Sequence, residues 1–188
     1  DPATVSNPFK GLEAFQQRLE LTAFEFFSEL AMGHVIAEKQ LPRPFATPCP
    51  FYALIEFENR GGNEQEIAME LFEHCLEQEW IQDGVISQSL TQAESLWRLR
   101  EDISESISRY TPYKNDISVR VSRVPEFLEE VDRLVTKAYP DFEIIWFGHI
   151  GDGNVHLNIL KPEAVEKDAF FASCSEVSTR VFEIVQRH

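Results

Sequence analysis

Cysteine is scarce in this sequence of 188 residues, which contains only Cys49, Cys75 and Cys174. An odd number at wide spacing, with no Cys-x-x-Cys pair, argues against a disulfide framework or a thiolate metal site and leaves reduced, mostly buried thiols as the expectation. Positive charge is short as well. With 17 Lys and Arg against 32 Asp and Glu, the formal net charge is −15. That balance disfavours nucleic acid, whose phosphates need clustered cations, and an anionic membrane surface. A small anionic substrate remains compatible, because a few cations in a pocket outweigh a distant negative surface screened over about 8–10 Å. No apolar run reaches the roughly 18 residues of a transmembrane helix, and the charged, aromatic-rich start lacks the shape of a signal peptide. Glycine is sparse too, and the lone Gly61-Gly62 pair reads as a turn with no phosphate-binding spacing behind it.

What is present suffices for one compact domain over residues 1–188, since 43% of the residues are hydrophobic and the length lies in the single-domain range. Residues 21–28 and 51–58 read as strands from their β-branched and aromatic content, and 64–79 carries Ile67, Leu71, Phe72 and Cys75 at helical spacing. A second helix is expected over 91–108, with Thr91 as cap and Glu94 three places on. Ile117, Val119 and Val121 alternate as a half-buried strand does. Pro125 suits the first turn of a helix whose apolar face is Phe127, Leu128, Val131, Leu134 and Val135. A hairpin over about 142–160 follows, then a final helix marked by Phe170, Cys174, Val177, Val181 and Ile184. Pro42, Pro44, Pro48 and Pro50 predict an irregular loop into the second strand. Glu64, Glu66, Glu70 and Glu73 read as a solvated helix face. A tight antiparallel hairpin is foreign to a purely parallel sheet, so the expected class is α+β, with helices packed on one face of an antiparallel sheet.

The most informative stretch is Trp146-Phe147-Gly148-His149-Ile150-Gly151-Asp152-Gly153-Asn154-Val155-His156-Leu157-Asn158. Apolar residues on both sides of an Asp-Gly pair signal a β-hairpin with a two-residue turn. That register sets His149 opposite His156, with Cβ atoms roughly 4.5–5.5 Å apart on one face. Two imidazoles so placed can share a cation at roughly 2.0–2.1 Å each, and Asn158 falls on the same face. Two hydrogen-bonded structural histidines are the plainer reading, and two ligands are fewer than the three a catalytic zinc commonly takes. His34, His74 and His188 sit in unrelated contexts and are not assigned.

The segment Gly148 to Asn158 resembles the hallmark of the C-terminal domain of FAD-linked oxidases. That family includes D-2-hydroxyglutarate dehydrogenase, D-lactate dehydrogenase and the glycolate oxidase flavoprotein subunit. Leu96-Trp97-Arg98-Leu99-Arg100-Glu101 is similar to its Trp-x-x-Arg-Glu segment, and Tyr113-Lys114-Asn115-Asp116-Ile117-Ser118 to the stretch that contributes a substrate lysine. Ala23 to Phe27 and Phe51 to Glu56 fit as well, so the likeness runs from about residue 20 nearly to the end, closest to the D-2-hydroxyglutarate dehydrogenase branch. The resemblance implies an elaborated ferredoxin-like fold. It also implies a chain excised from a longer flavoprotein, without the N-terminal FAD-binding domain and the Glu-His-Gly segment that supplies a third metal ligand. Such a piece is not expected to catalyse alone.

The resemblance further implies an oxidoreductase in which FAD accepts a hydride from a 2-hydroxy acid. His149 and His156 would ligate a divalent metal, zinc or manganese, and serve as catalytic residues. Arg100 and Lys114 would clamp substrate carboxylate, with Ser104 as a hydroxyl donor and Asn158 as a substrate contact or support. Asn154 would face the cofactor or simply satisfy the turn. The plain alternatives are an exposed Arg100 paired with Asp102 or Glu105, and Lys114 as an ordinary loop lysine. Two cations favour a dicarboxylate over lactate, and the general base is left open. A homodimer, an unidentified electron acceptor and a bacterial cytoplasmic or mitochondrial matrix location complete these expectations. Two other classes are weighed beside them. A metal-dependent hydrolase would complete the histidine pair with Asp116 or Glu143, and a non-catalytic interaction module would show a large exposed apolar patch and no metal.

Overall fold

The computed structural model describes residues 8–188. Its centre is a five-stranded antiparallel sheet of β1 (Leu21–Ser28), β2 (Phe51–Phe57), β3 (Tyr113–Ser118), β4 (Glu143–His149) and β5 (Asn154–Leu160), in the order β2-β1-β4-β5-β3. Both β3 and β4 run antiparallel to β5, so they are parallel to one another with β5 between them. The crossover joining them is α6 (Val124–Ala138), which makes the split β-α-β unit of ferredoxin-like folds.

The sequence of β4 dictates how the layers stack. Ile144-Ile145-Trp146-Phe147 is a continuous apolar run, and side chains alternate across a strand, so both faces have to be buried. Ile144 and Trp146 join Phe24 and Phe26 of β1 under α6 and α7 (Lys167–Val185). Ile145 and Phe147 join Phe27 and Leu160 under α2 (Glu29–Lys39), α4 (Leu90–Glu101) and α5 (Ile103–Ser106). The α+β class and the antiparallel sheet are as the sequence indicated, but helices cover part of the second face as well as the first. On that second face β3 presents Lys114, Asp116 and Ser118 as exposed residues. This open corner is where the candidate site lies. A third cluster packs Phe15 and Leu19, from α1 (Pro8–Arg18) and just beyond it, on Ala68, Leu71 and Cys75 of α3 (Glu64–Glu77).

Several local expectations shift. The helix expected over 91–108 breaks at Asp102 into α4 and α5. Its cap is Ser89, whose hydroxyl accepts from Gln92 N at 3.2 Å, and Gln92 Oε1 in turn accepts from Gln88 N. Thr91 therefore lies inside the first turn, and this near capping box satisfies two backbone donors. Strand β3 starts earlier than the valines suggested, and Val121 belongs to a short 3-10 turn before α6. Ser28 ends β1 and caps α2 by accepting from Ala31 N at 3.3 Å. All three cysteines are free, Cys75 and Cys174 being buried, and burial pushes the Cys174 thiol up to about 12.

Candidate functional site

The hairpin is not closed by two residues. His149 pairs with Asn154, Gly148 with Val155 and Phe147 with His156. A 3-10 turn over Ile150–Asp152 and then Gly153 make the connection. Ile150 is fully buried, and Asp152 Oδ1 accepts from Asn154 N at 3.0 Å. Gly153 has φ 74°, and a Cβ there would collide with the Val119 carbonyl oxygen. A Cβ at Gly148 would strike the carbonyl of Asn154. These glycines of the motif are thus explained by backbone conformation and close strand approach.

The register differs from the expected one by two residues. An even shift keeps every side chain on its face, so His149 and His156 still share one, now as diagonal neighbours. Their ring centroids lie 5.8 Å apart at 78°. His149 Nδ1 is 2.6 Å from Glu25 Oε1, and His156 Nδ1 is 2.6 Å from Asp116 Oδ1. An ionised carboxylate only accepts, so Nδ1 donates in both rings and a neutral imidazole keeps its lone pair on Nε2. Among the described residues neither Nε2 has a hydrogen-bond partner. Carboxylates on Nδ1 are the support that metal-ligating histidines commonly have. No group of three or more His, Cys, Asp or Glu among the described residues is placed to hold a metal, so those residues offer two imidazole nitrogens and no third ligand beside them.

Glu25 sits in β1 directly across from His149, and its side chain is 6% exposed. Its second oxygen lies 2.9 Å from Arg100 Nη2. The contact is an ion pair, and among the described residues neither Glu25 Oε2 nor Arg100 Nε has a hydrogen-bond partner. Arg100 is buried in the last turn of α4, with its guanidinium carbon 4.9 Å from the Phe147 ring centroid. Burial lowers the tendency of this guanidinium to stay charged, and Glu25 opposes that. The exposed pairing weighed from the sequence does not occur. Asp102 pairs with Arg98 at 3.1 Å and Glu105 with Lys39 at 2.8 Å. Trp97, in the same segment, donates to Glu56 of β2 at 2.8 Å and so anchors α4 against the sheet.

Lys114 is exposed on β3 opposite Asn158; among the described residues no acidic partner is within ion-pair distance. Asn158 is 2% exposed, and its amide makes no hydrogen bond among the described residues. Asn154 Oδ1 is buried and unpartnered, so the turn uses its backbone N but not its side chain. Ser104 is exposed on α5 without a contact to either histidine. The fold thus gathers His149, His156, Asn154, Asn158 and Lys114 on one sheet face and brings Arg100 to it through Glu25. Sequence reasoning missed the roles of Glu25 and Asp116 as imidazole partners. A lone acidic residue inside the apolar strand Leu21–Ser28 was the available signal for Glu25.

Glu143 lies at the far end of β4, 3.3 Å from His34; His74 packs on Trp80 and His188 meets Glu130. None of these reaches the pair. A largely apolar cavity of about 640 Å³ runs along β2, with Phe72, Trp80 and Trp97 in its walls. Neither histidine lines it, so its size does not make it the centre of chemistry.

The chain matches the family FAD linked oxidases, C-terminal domain, over residues 9–187. It is 59% identical to D-2-hydroxyglutarate dehydrogenase of Stutzerimonas stutzeri (strain A1501), over 94% of this chain and 38% of that protein. It is 51% identical to the protein of the same name from Xanthomonas citri pv. viticola, over 93% of this chain and 37% of that one. D-2-hydroxyglutarate dehydrogenase, mitochondrial, of Danio rerio is 32% identical over 86% of this chain and 32% of its own length. The chain therefore spans under two fifths of these relatives. By the family match, it belongs to the FAD linked oxidases as a C-terminal domain of that family.

Proposed function

We propose that this chain is the substrate-binding domain of a flavin-dependent D-2-hydroxy acid dehydrogenase acting on D-2-hydroxyglutarate, with D-lactate or glycolate as the alternative acids. The observation that carries the reading is the pair of imidazoles, each held through Nδ1 by a carboxylate and each with a free Nε2. Family membership supports FAD as the hydride acceptor, and the names of the bacterial relatives support the acid.

The charges around the pair fit a divalent cation. Glu25 and Asp116 place two carboxylates beside the imidazoles, one on each Nδ1. The unpartnered Nε2 atoms of His149 and His156 are the donors that would hold zinc or manganese. A metal bound there would supply Lewis acidity, which lowers the pKa of a coordinated hydroxyl, and FAD would supply the redox chemistry.

The chain's own residues do the rest. Lys114, with no ion-pair partner among the described residues, attracts substrate carboxylate, and Arg100 adds a fork whose position Glu25 fixes. Asn158 offers its amide from a position only 2% exposed, where a lost hydrogen bond is costly and selectivity correspondingly high. Asn154 Oδ1 is a buried acceptor on the residue paired with His149. Alignment of the hydroxyl carbon toward the flavin is the contribution of these contacts.

The hydrolase reading loses its carboxylates, since Asp116 is engaged at Nδ1 and Glu143 is at the other end of its strand. The test is His156→Ala in the protein at its natural length. Turnover of the 2-hydroxy acid should fall by at least about 100-fold with flavin content unchanged; near-normal turnover would remove His156 from the site.

A further inference from the structure

Glu25 is shared between two groups with different demands. Arg100 can only donate, so it requires an oxygen facing it. His149 can donate or accept at Nδ1, so whichever atom faces it decides where the ring's single proton sits. A carboxylate answers both at once, with one oxygen 2.6 Å from His149 Nδ1 and the other paired by charge with Arg100 Nη2 at 2.9 Å. Its burial in β1, cross-strand from His149 and beneath α4, leaves water little room to substitute.

We infer that Glu25 is a positioning residue that sets the tautomer of His149, with Arg100 dictating which way the Glu25 side chain presents its atoms. The inference rests on the reading of His149 as an Nε2 donor. It makes a specific statement about Glu25→Gln. The amide has one oxygen and one NH₂; Arg100 takes the oxygen, so the NH₂ is turned toward His149 Nδ1. Nδ1 then accepts, and the proton moves to Nε2, where the lone pair is needed. Shape is nearly conserved and the tautomer is inverted, an exchange that costs up to about 10⁴ in kcat where a carboxylate orients a working histidine.

The experiment uses the natural-length protein, stripped of metal and labelled with ¹⁵N-histidine, at pH 8, above the range in which free imidazole protonates. Wild type should show His149 with the proton on Nδ1, and E25Q with the proton on Nε2. Zn²⁺ affinity, measured by calorimetry, should fall about 10- to 100-fold in E25Q. In E25Q/R100M the amide is free to turn its oxygen to Nδ1, and both the tautomer and the affinity should return. An unchanged tautomer or unchanged Zn²⁺ affinity in E25Q overturns the inference.

A misfolded E25Q does not end the test, because E25Q/R100M and E25A/R100M remove the same two charges. The first should keep the Nδ1 proton and tighter Zn²⁺ binding, and the second should lose both; identical behaviour overturns the inference. None of these readouts uses substrate, so a protein that no 2-hydroxy acid reduces would refute the proposed reaction while leaving the role of Glu25 standing.

Discussion

His149 and His156 stand diagonally across the β4–β5 ladder, ring centroids 5.8 Å apart, with Phe147 directly opposite His156. The Phe147 ring also lies 4.9 Å from the His156 ring and 4.9 Å from the Arg100 guanidinium carbon. One aromatic side chain therefore supports both His156 and the buried Arg100. The two imidazoles differ in the depth of their tethers, since the Glu25 side chain is 6% exposed and that of Asp116 is 78% exposed.

That difference orders two variants. Water can replace the carboxylate of Asp116 but not that of Glu25, so Asp116→Asn should lower turnover by about 10-fold or less, well short of the loss in E25Q. Steady-state flavin reduction at saturating substrate checks the order. A loss in D116N equal to or greater than that in E25Q would contradict it.

The hairpin turn predicts a stability contrast between two glycines. Gly153 has φ 74° and faces the Val119 carbonyl, whereas nothing lies within 4 Å of a Cβ at Gly151. Gly153→Ala should destabilise the fold by roughly 1–3 kcal/mol or more, and Gly151→Ala should be nearly neutral. Urea midpoints of the two variants decide this; equal midpoints would mean the turn adapts.

Asp132 of α6 accepts from Trp146 Nε1 at 2.8 Å. Burial pushes its carboxyl up, more than the indole hydrogen bond pulls it down. A raised carboxyl pKa in the folded state favours the neutral acid, so its contribution to stability is full below the unfolded-state pKa and is lost as pH rises through the folded value. Asp132→Asn keeps the acceptor without the charge. It should raise the melting temperature at pH 7, and the gain should shrink toward acid pH. Destabilisation by the variant at neutral pH would contradict the sign.

Much of this was legible in the sequence wherever one physical pattern acted alone. The apolar strand 21–28, the hairpin over about 142–160 and the one-sided helix after Pro125 appear where expected, although the Asp-Gly pair does not form the two-residue turn it signalled. Helix α2 was not read. Ala31, Met32 and Val35 are buried, and Gly33 and His34 interrupt them, so no clean stripe stands out. The hairpin register slipped by two because Ile150, apolar and therefore strand-like in sequence, plugs into the core from within the turn. His149, His156, Asn158 and Lys114 could be nominated from motif and alternation. Glu25 and Arg100 could not be joined beforehand, since their contact spans β1 and α4 and depends on tertiary packing.

The most direct measurement is an anaerobic flavin spectrum of the protein at its natural length, mixed with D-2-hydroxyglutarate, D-lactate or glycolate, before and after chelation of metal. The account predicts that D-2-hydroxyglutarate bleaches the flavin band and that chelation abolishes the bleach. A flavin that none of the three acids reduces would contradict the proposed reaction, and a bleach indifferent to chelation would contradict the role given to His149 and His156.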